Sequence, residues 1–315
     1  MKKKIDSSVK TGLAKLIKDA RHPEKIEWLS TGIHAVDLAI GHGIPLGRTL
    51  EIFGNESAGK SLLTYSIAKA FQKAGGVVIL FDIEATAPME FMKSLGVDTD
   101  SVILPDEEVC TIEDIRDSLI KIVELIRAIE PGIPILAIID SIAATTSRGE
   151  WEDEEKIKAK DNAMGKRAEA FSQFFRKHTV WMAKNNVTLC CVNQMREKIG
   201  IVFGNPETTP GGKAVKHHSS IRIKLSQGKK LTLEDKIVGV ECKITIEKNK
   251  VAAPFKKAIL RINQNMGFDT NGGLLEILEQ LGRVTTHTGG FQYGEKKYKN
   301  SEIETALAEN PELLH

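Results

Sequence analysis

Apolar residues in the first quarter of the chain are spaced as in a strand followed by a helix. Leu50 and Ile52 alternate with other residues, which is typical of a strand. Further on, Leu63, Ile67 and Phe71 recur at every fourth position, which is typical of an amphipathic helix. A glycine-rich segment separates the two patterns. The sequence therefore predicts a strand, a tight loop and a helix in direct succession.

Further along the chain, apolar runs alternate with helical patterns. A capping box of Thr111 and Asp114 begins a predicted helix over 111–129, whose apolar face consists of Ile115, Leu119, Ile122, Ile126 and Ile129. The other predicted elements are helices at 7–20 and 161–185, strands at 77–81, 135–139, 187–192, 221–225, 240–247 and 258–262, and a polar helical segment with turns over 266–315. Strands that alternate with helices predict an α/β fold with a mostly parallel, doubly wound sheet.

The segment between the first strand and helix fits the P-loop pattern G-x-x-x-x-G-K-[ST]. Glycines at both ends would let consecutive N–H groups surround a polyphosphate at a helix N-terminus. The Lys60 amine would reach the β- and γ-phosphates, and the Ser61 hydroxyl would bind Mg²⁺. The predicted nucleotide-binding residues of this loop are Gly54, Asn55, Glu56, Ser57, Ala58, Gly59, Lys60 and Ser61. The sequence thus predicts binding of a nucleoside triphosphate.

Composition and charge narrow the class of protein. The 315 residues are 41% hydrophobic and 27% charged, which is ordinary for a globular chain, and the net charge of +2 confines any nucleic-acid affinity to local basic patches. Four cysteines at 110, 190, 191 and 242 lack metal-ligand spacing, so we expect reduced thiols. No signal-peptide pattern follows Met1, and the most apolar run, 133–139, is too short to span a bilayer. We expect a cytoplasmic protein without a membrane partner.

Acidic residues end two of the predicted strands. Asp140 follows the apolar strand 135–139 and is expected to hold Mg²⁺ through water. Glu84 follows the strand 77–81 and could orient or deprotonate the attacking water, although Asp82 competes for that role. Because the carboxyl ends of parallel strands share one edge of a sheet, both acids are expected near the P-loop.

A long polar stretch follows the strand at 187–192. Its first residues include Gln194, whose amide could hydrogen-bond a γ-phosphate and so register its presence. Segment 195–213 has no clear periodicity, which marks a functional loop or an ordinary mobile lid. The residues in it suited to DNA are the cations Arg196, Lys198 and Lys213, the apolar wedge Ile199, and glycines and threonines. By spacing alone, Lys248 and Lys250 share one face of an extended segment, and a solvated sheet edge is the simplest interpretation.

Taken together, these residues resemble the RecA-type strand-exchange recombinases of bacteria and their phages. The similarity runs from about residue 30 to 267 and more weakly to the C-terminus. Its most specific stretches, in chain order, are 54–61, 94–98, 140–144, 193–194, 198–200, 203–209, 211–212 and 248–256. Many matching segments in one order are more specific than a P-loop alone.

The resemblance implies a RecA-like P-loop ATPase core at 30–268, an N-terminal helical segment for oligomerisation at 1–29, and a small C-terminal α+β domain at 269–315. It implies a helical filament on single-stranded DNA, with ATP and Mg²⁺ between subunits and with duplex DNA as a further partner. Single-strand-binding and loader proteins are candidate partners as well. Glu84 matches the catalytic glutamate, Gln194 the γ-phosphate sensor, and Lys248 and Lys250 match lysines that reach the neighbouring subunit's ATP.

The resemblance also extends the set of candidate binding residues. Phe91 replaces the tyrosine that the family uses at the base, and Pro88 replaces an acidic residue there, so this chain departs from the family in its base contacts. The first DNA loop and its helix correspond to Met164, Gly165, Ser172 and Arg176. The second DNA loop corresponds to Arg196, Lys198, Ile199, Gly200, Thr208, Thr209, Gly211, Gly212 and Lys213.

Two other classes of protein share such a core. A ring-forming helicase would show closed rings by electron microscopy, and this chain has a filament-type loop without an extra N-terminal domain. A non-catalytic scaffold regulated by nucleotide would lack hydrolytic residues, whereas Lys60, Glu84 and Asp140 are all intact. The sequence therefore favours a recombinase with DNA-dependent ATPase activity.

Overall fold

A computed structural model of the chain describes residues 26–85, 87–105, 109–151, 160–197, 207–234, 236–263 and 267–314, with the backbone alone at 160–164, 197 and 207. The helix predicted at 7–20 lies outside these ranges, as do Lys198, Ile199 and Gly200.

The predicted strands at 77–81, 135–139, 187–192 and 258–262 are confirmed to within two residues. The predicted strand at 221–225 instead extends to Leu233, and the one predicted at 240–247 begins at Lys236 and ends at Asn249. The described residues form sixteen strands. They are β1 Trp28–Leu29, β2 Ile44–Pro45, β3 Thr49–Gly54, β4 Val77–Asp82, β5 Val102–Ile103, β6 Ile135–Asp140, β7 Val187–Gln194, β8 Arg196–Glu197, β9 Glu207–Thr208, β10 Ile221–Leu233, β11 Lys236–Asn249, β12 Lys257–Asn263, β13 Gly267–Phe268, β14 Thr285–His287, β15 Gly290–Tyr293 and β16 Lys296–Lys299.

The helices are α1 His34–Ile40, α2 Lys60–Lys73, α3 Met89–Ser94, α4 Ile112–Ile129, α5 Arg148–Trp151, α6 Lys160–Lys184, α7 Gly212–His218, α8 Leu274–Gln280 and α9 Ile303–Glu309. Short 3-10 segments span Thr99–Ser101, Asn300–Glu302 and Pro311–Leu314. The predicted capping box is present, since the Thr111 hydroxyl accepts from the Asp114 N–H and the Thr111 N–H donates to the Asp114 carboxylate.

One large sheet organises the described part of the chain. Its strand order is β13-β12-β11-β10-β3-β7-β6-β4-β5. The strands from β10 to β5 run parallel, and β11, β12 and β13 continue the sheet antiparallel. The central strands β3, β7, β6 and β4 therefore end at the same edge, where Gly54, Gln194, Asp140 and Asp82 lie. This arrangement confirms the predicted mostly parallel α/β sheet.

Both faces of the sheet are covered, so the central strands are buried on each side. One apolar cluster contains Leu63, Ile67 and Phe71 of α2 together with Cys190. The other contains residues of α4 and α6 together with Cys191, so the adjacent cysteines point to opposite faces of the sheet, as successive residues of a strand do. All four thiols are free, and three are buried.

Two details of the predicted elements are wrong. Ile129 was placed on the buried face of α4, but it is the last residue of that helix and is 79% exposed. The residue pattern predicts a helical segment with turns over 266–315, yet β14, β15 and β16 form an antiparallel sheet there beside α8 and α9, in keeping with the α+β character that the resemblance implies. Phe291 and Tyr298 stack across this sheet with ring centroids 5.2 Å apart, and the polar residues around them hid the strand pattern. The boundary at 268/269 stays a prediction.

The close approach of β3 to β10 at the start of the P-loop gives a first testable prediction. A Cβ added at Gly54 would lie 2.2 Å from the Leu225 carbonyl oxygen, a backbone atom that cannot rotate away. We expect Gly54→Ala to destabilise the protein by about 1–3 kcal/mol, the cost of overpacking a buried site. Urea unfolding would measure this. Gly132→Ala is the matched control, because no atom lies within 4 Å of its added Cβ, and an equal effect there would contradict the steric argument.

Candidate nucleotide-binding site

The loop between β3 and α2 has the backbone geometry of an anion cradle. Gly59 precedes the helix with φ of +92°, a left-handed conformation that favours glycine, and Ser57 is also left-handed with φ of 57°. No side chain caps the start of α2 among the described residues, so its first N–H groups stay available. The helix has 14 residues and begins at Lys60. Its unpaired backbone N–H groups and the positive end of its dipole therefore both point toward the loop.

Lys60 lies against its own loop. Its Nζ donates to the Asn55 carbonyl oxygen over 2.8 Å. Burial lowers the pKa of the Lys60 amine, whereas the charges of Asp140, Glu56 and Glu84 oppose that shift. The nearest anions therefore help to keep the amine charged in a half-buried position.

Seven of the predicted catalytic and nucleotide-binding residues line one cavity of about 270 Å³ at the carboxyl edge of the sheet. Its lining includes Glu56, Ser57, Lys60, Ser61, Glu84, Asp140 and Gln194. A larger cavity of about 460 Å³ lies beside Lys69, but the described residues that line it include no carboxylate. The chemistry of the smaller cavity, with a cation, a hydroxyl, an amide and acids, suits a metal-bound polyphosphate.

Acidic groups crowd one wall of this cavity. Burial and the charges of Glu84 and Asp82 raise the pKa of Asp140 to about 6, and Lys60 opposes the shift. Asp82 and Asp140 are direct partners across β4 and β6. The described lining holds four carboxylates, those of Glu56, Asp82, Glu84 and Asp140, together with Lys60 and the Ser61 hydroxyl. This oxygen-rich, negatively charged donor set fits Mg²⁺.

The geometry distinguishes between the two acids that competed for the role of base. One carboxylate oxygen of Asp82 accepts a backbone hydrogen bond from Ala87 over 2.7 Å, so Asp82 supports the turn after β4. Glu84 instead accepts from the Ser141 hydroxyl over 2.5 Å and faces the cavity. Sequence analysis missed Ser141, although its position directly after Asp140 was a usable signal.

An aromatic group deep in the cavity was also missed. Tyr65 lies one helical turn after Ser61 and lines the cavity together with Pro88. Its pKa is raised by burial and by the charges of Asp140 and Asp82. Phe91 packs edge-on against the Tyr65 ring, with centroids 6.4 Å apart, and remains 44% exposed outside the cavity lining. The i, i+4 spacing from Ser61 could have identified Tyr65.

The loop at 195–213 starts directly at this cavity. Its base is a short hairpin in which Arg196 pairs with Thr208, and the Met195 N–H donates to the Gly54 carbonyl oxygen over 3.2 Å. Gly211, with φ of 83°, precedes α7, so Gly212 and Lys213 belong to a helix and are exposed. Thr209 is only 5% exposed, so its side chain does not face solvent in this conformation.

The residues predicted for the first DNA loop lie on helix α6. Met164 and Gly165 are in its first two turns, and Gly165 is exposed. Ser172 and Arg176 follow on the same helix, where the Arg176 Nε donates to the Ser172 carbonyl oxygen over 3.3 Å. The Arg176 guanidinium is exposed.

Lys248 and Lys250 converge on the end of helix α7 rather than on the nucleotide cavity of their own chain. Both Nζ atoms donate to the His217 carbonyl oxygen, over 2.8 and 3.0 Å, and Lys248 also donates to the Lys216 carbonyl oxygen over 2.5 Å. Burial, and then the charges of Lys250 and Arg222, lower the pKa of Lys248 to about 8, while Glu51 opposes the shift. Two adjacent cations at a helix C-terminus are favourably placed.

Fold and cavity together define a P-loop nucleotide-binding protein with its site at the strand edge. A family model described as the RecA N-terminal domain matches residues 2–269. The chain is similar to Protein RecA of Thermus aquaticus, 35% identical over 294 residues that cover 92% of this chain and 83% of that relative. It is 37% identical to Protein RecA of Streptomyces venezuelae over 296 residues, which cover 93% of this chain and 75% of the relative.

These matches show that the chain belongs to the RecA family. They confirm the resemblance, the RecA-like core and the assignment to DNA recombination and repair. Family membership also implies a nucleotide-hydrolysing enzyme that uses a nucleotide and Mg²⁺, binds DNA and self-associates. Across the described ranges, no helix combines the length and apolarity needed to cross a membrane.

Proposed function

We propose that this chain is a DNA-dependent ATPase that forms a filament on single-stranded DNA and catalyses homologous pairing and strand exchange. The observation that supports it most is the position of Gln194. This residue lines the nucleotide cavity and is followed directly by the hairpin that begins the loop at 195–213. A single backbone segment therefore touches both proposed ligands.

For hydrolysis, the described residues divide into positioning and chemical roles. The N–H groups at the start of α2 and the Lys60 amine would bind the β- and γ-phosphates. Ser61, and Asp140 through water, would hold Mg²⁺, which when bound neutralises charge on the phosphate oxygens. Glu84, oriented by Ser141, would accept the proton of the attacking water.

The same residues offer a way to couple nucleotide to DNA. Gln194 would hydrogen-bond the γ-phosphate and thereby bias the arrangement of the loop that follows it. Arg196, Lys213 and Arg176 are exposed cations near that loop or on α6, and they suit contacts with the DNA backbone. Sequence would then be read by base pairing between strands, so the protein needs backbone and stacking contacts alone.

Adjacent subunits would share the nucleotide. Lys248 and Lys250 lie away from the cavity of their own chain but close together, as expected for cations that reach the ATP of a neighbouring subunit. In such an assembly ATP would bridge two subunits and favour the extended filament, and hydrolysis would remove the bridge.

The position of Lys248 predicts a pH dependence. Its pKa of about 8 means that the amine is charged below that pH and neutral above it. Because the neutral amine attracts phosphate less, we expect kcat/KM for DNA-stimulated ATP hydrolysis to fall as the pH rises through about 8. Lys248→Arg keeps its charge and should move this decline to higher pH. Lys243→Arg, an exposed change on the same strand, should leave the profile as it is.

A strand-exchange assay tests the proposed function. The full-length chain is mixed with single-stranded DNA, a homologous fluorescent duplex, ATP and Mg²⁺, and displacement of the labelled strand is followed. We expect displacement that requires both homology and ATP, and filaments by electron microscopy. Closed rings that unwind duplex DNA irrespective of homology would identify a helicase instead. DNA binding without displacement or hydrolysis would identify a scaffold.

A further inference from the structure

A fully buried carboxylate lies on the strand that leads into the P-loop. Glu51 of β3 has 0% exposure, and its Oε2 accepts from the Nε of Arg222 on the neighbouring strand β10 over 2.5 Å. The guanidinium of Arg222 also contacts Glu247, at 3.1 Å, and the face of the Phe53 ring, 4.3 Å from its centroid. A buried charge of this kind costs free energy unless each lone pair is used. Its second oxygen, Oε1, therefore needs a donor of its own.

That second oxygen holds Asn193. The Asn193 Nδ2 donates to Glu51 Oε1 over 3.0 Å and also to the Pro210 carbonyl oxygen over 3.0 Å. Because both neighbours are acceptors, the amide nitrogen has to face them, which fixes the orientation of the Asn193 side chain. Asn193 directly precedes Gln194, and Pro210 lies at the far end of the 195–213 loop. One amide group thus joins the two ends of that loop to the P-loop strand.

Two polar atoms in this cluster lack partners. Asn193 Oδ1 and Thr209 Oγ1 are buried and have no hydrogen bond within the described part of the chain. A cavity of about 180 Å³, lined by Met195, Thr208, Thr209 and Arg222 among others, lies beside Thr209. Among the described residues, this arrangement of the loop base therefore leaves two buried polar groups without a hydrogen bond, which is unfavourable. The free space allows the residues around Thr209 to take another arrangement.

We infer that Glu51 is a positioning residue that couples the nucleotide cavity to the 195–213 loop through Asn193. Glu51 holds the Asn193 amide, and the amide holds the Pro210 carbonyl beside the strand end that carries Gln194. A shift of Gln194 toward a γ-phosphate then moves the adjacent Asn193. This changes the hydrogen bond from Asn193 to the Pro210 carbonyl oxygen and rearranges Thr209 and its neighbours. This inference rests on the proposed function, because it requires a nucleotide in the cavity and DNA at the loop.

The substitution Glu51→Gln tests the link with almost no change in shape. A carboxylate offers acceptors to both Arg222 and Asn193, whereas a glutamine offers one oxygen and turns an NH₂ group toward the other donor. If the glutamine oxygen stays with Arg222, the Asn193 amide has to flip, and Oδ1 then faces the Pro210 carbonyl. Glu247→Gln is the matched control. This variant also removes a negative charge that contacts Arg222, but the hydrogen bonds of Asn193 do not involve Glu247.

We expect Glu51→Gln to bind a fluorescent ATP analogue as the parent does, yet to lose about 2- to 30-fold of the DNA stimulation of ATP hydrolysis, the range that coupling residues give. Hydrogen exchange at 207–213 should respond to a non-hydrolysable ATP analogue in the parent and in Glu247→Gln, but not in Glu51→Gln. Full stimulation and a normal exchange response in Glu51→Gln would overturn the inference. Equal losses in both variants would also overturn it, because they would implicate Arg222 alone.

Two further measurements keep the outcome decisive. If Glu51→Gln does not fold by circular dichroism, Asn193→Leu tests the same link, since it removes both N–H donors at similar volume and cannot regain one by binding a proton. Retained stimulation in a folded Asn193→Leu would overturn the inference. If the parent protein itself shows no DNA stimulation, the proposed function fails rather than this coupling. The parent measurement therefore separates the two.

Discussion

Replacing Glu84 with glutamine is expected to lower kcat for ATP hydrolysis by about 10²- to 10⁴-fold, the contribution typical of a positioned general base. Glutamine keeps the size of the side chain and can still accept from the Ser141 hydroxyl, which lies 2.5 Å from Glu84 Oε1. It cannot take a proton from water. Nucleotide binding should therefore be preserved, so we expect the loss in kcat rather than in the affinity for an ATP analogue.

Asp82→Asn is the comparison that makes this prediction specific. Asp82 lines the same cavity, but one of its oxygens already accepts from the Ala87 N–H. Its amide variant should lose much less activity than Glu84→Gln. Rapid hydrolysis by Glu84→Gln together with a large loss in Asp82→Asn would reverse the assignment of the base.

Replacing Lys60 with alanine is expected to have the second large effect. The amine is the cation of the P-loop in the cavity lining, and the charges of Asp140, Glu56 and Glu84 act on it there. Its loss removes a charge directed at the transferred phosphate, so we expect kcat to fall by about 10²- to 10³-fold, as when one preorganised donor is removed. Affinity for the ATP analogue should fall as well, because the same amine binds the ground state.

A lysine on the same helix provides the control for that variant. Lys73 is the last residue of α2 and is exposed, outside the nucleotide cavity. Lys73→Ala should hydrolyse ATP as the parent does. If Lys60→Ala retained most of its turnover in the same assay, the P-loop assignment would be wrong.

Much of the nucleotide site could be predicted because its parts are local in sequence. The P-loop pattern fixes Gly54, Lys60 and Ser61 within eight positions, and strand ends place Asp140 and Gln194 at one edge of a parallel sheet. Strands buried on both faces of a sheet consist of continuous apolar runs, so the bounds of the central strands could be predicted to within two residues. The family resemblance is the source of the roles proposed for Lys248 and Lys250, which spacing alone left as a solvated edge.

The rest could not be predicted because it depends on contacts between distant residues. Glu51 and Asn193 are 142 positions apart, and no local pattern indicates that their side chains meet. The strands around Phe291 and Tyr298 each bury few apolar residues, so their alternation was too weak to distinguish from a polar helix. Ile129 fits the helical spacing but lies beyond the packed part of α4.

In the proposed function, binding of single-stranded DNA by this protein stimulates its hydrolysis of ATP. The most direct test is the rate of ATP hydrolysis in Mg²⁺ with and without single-stranded DNA, measured for the parent and for Lys60→Ala. We predict strong stimulation by DNA in the parent and loss of turnover in the variant. Equal rates with and without DNA would contradict the coupling between the nucleotide cavity and the 195–213 loop, and would leave a RecA-family ATPase with a different partner.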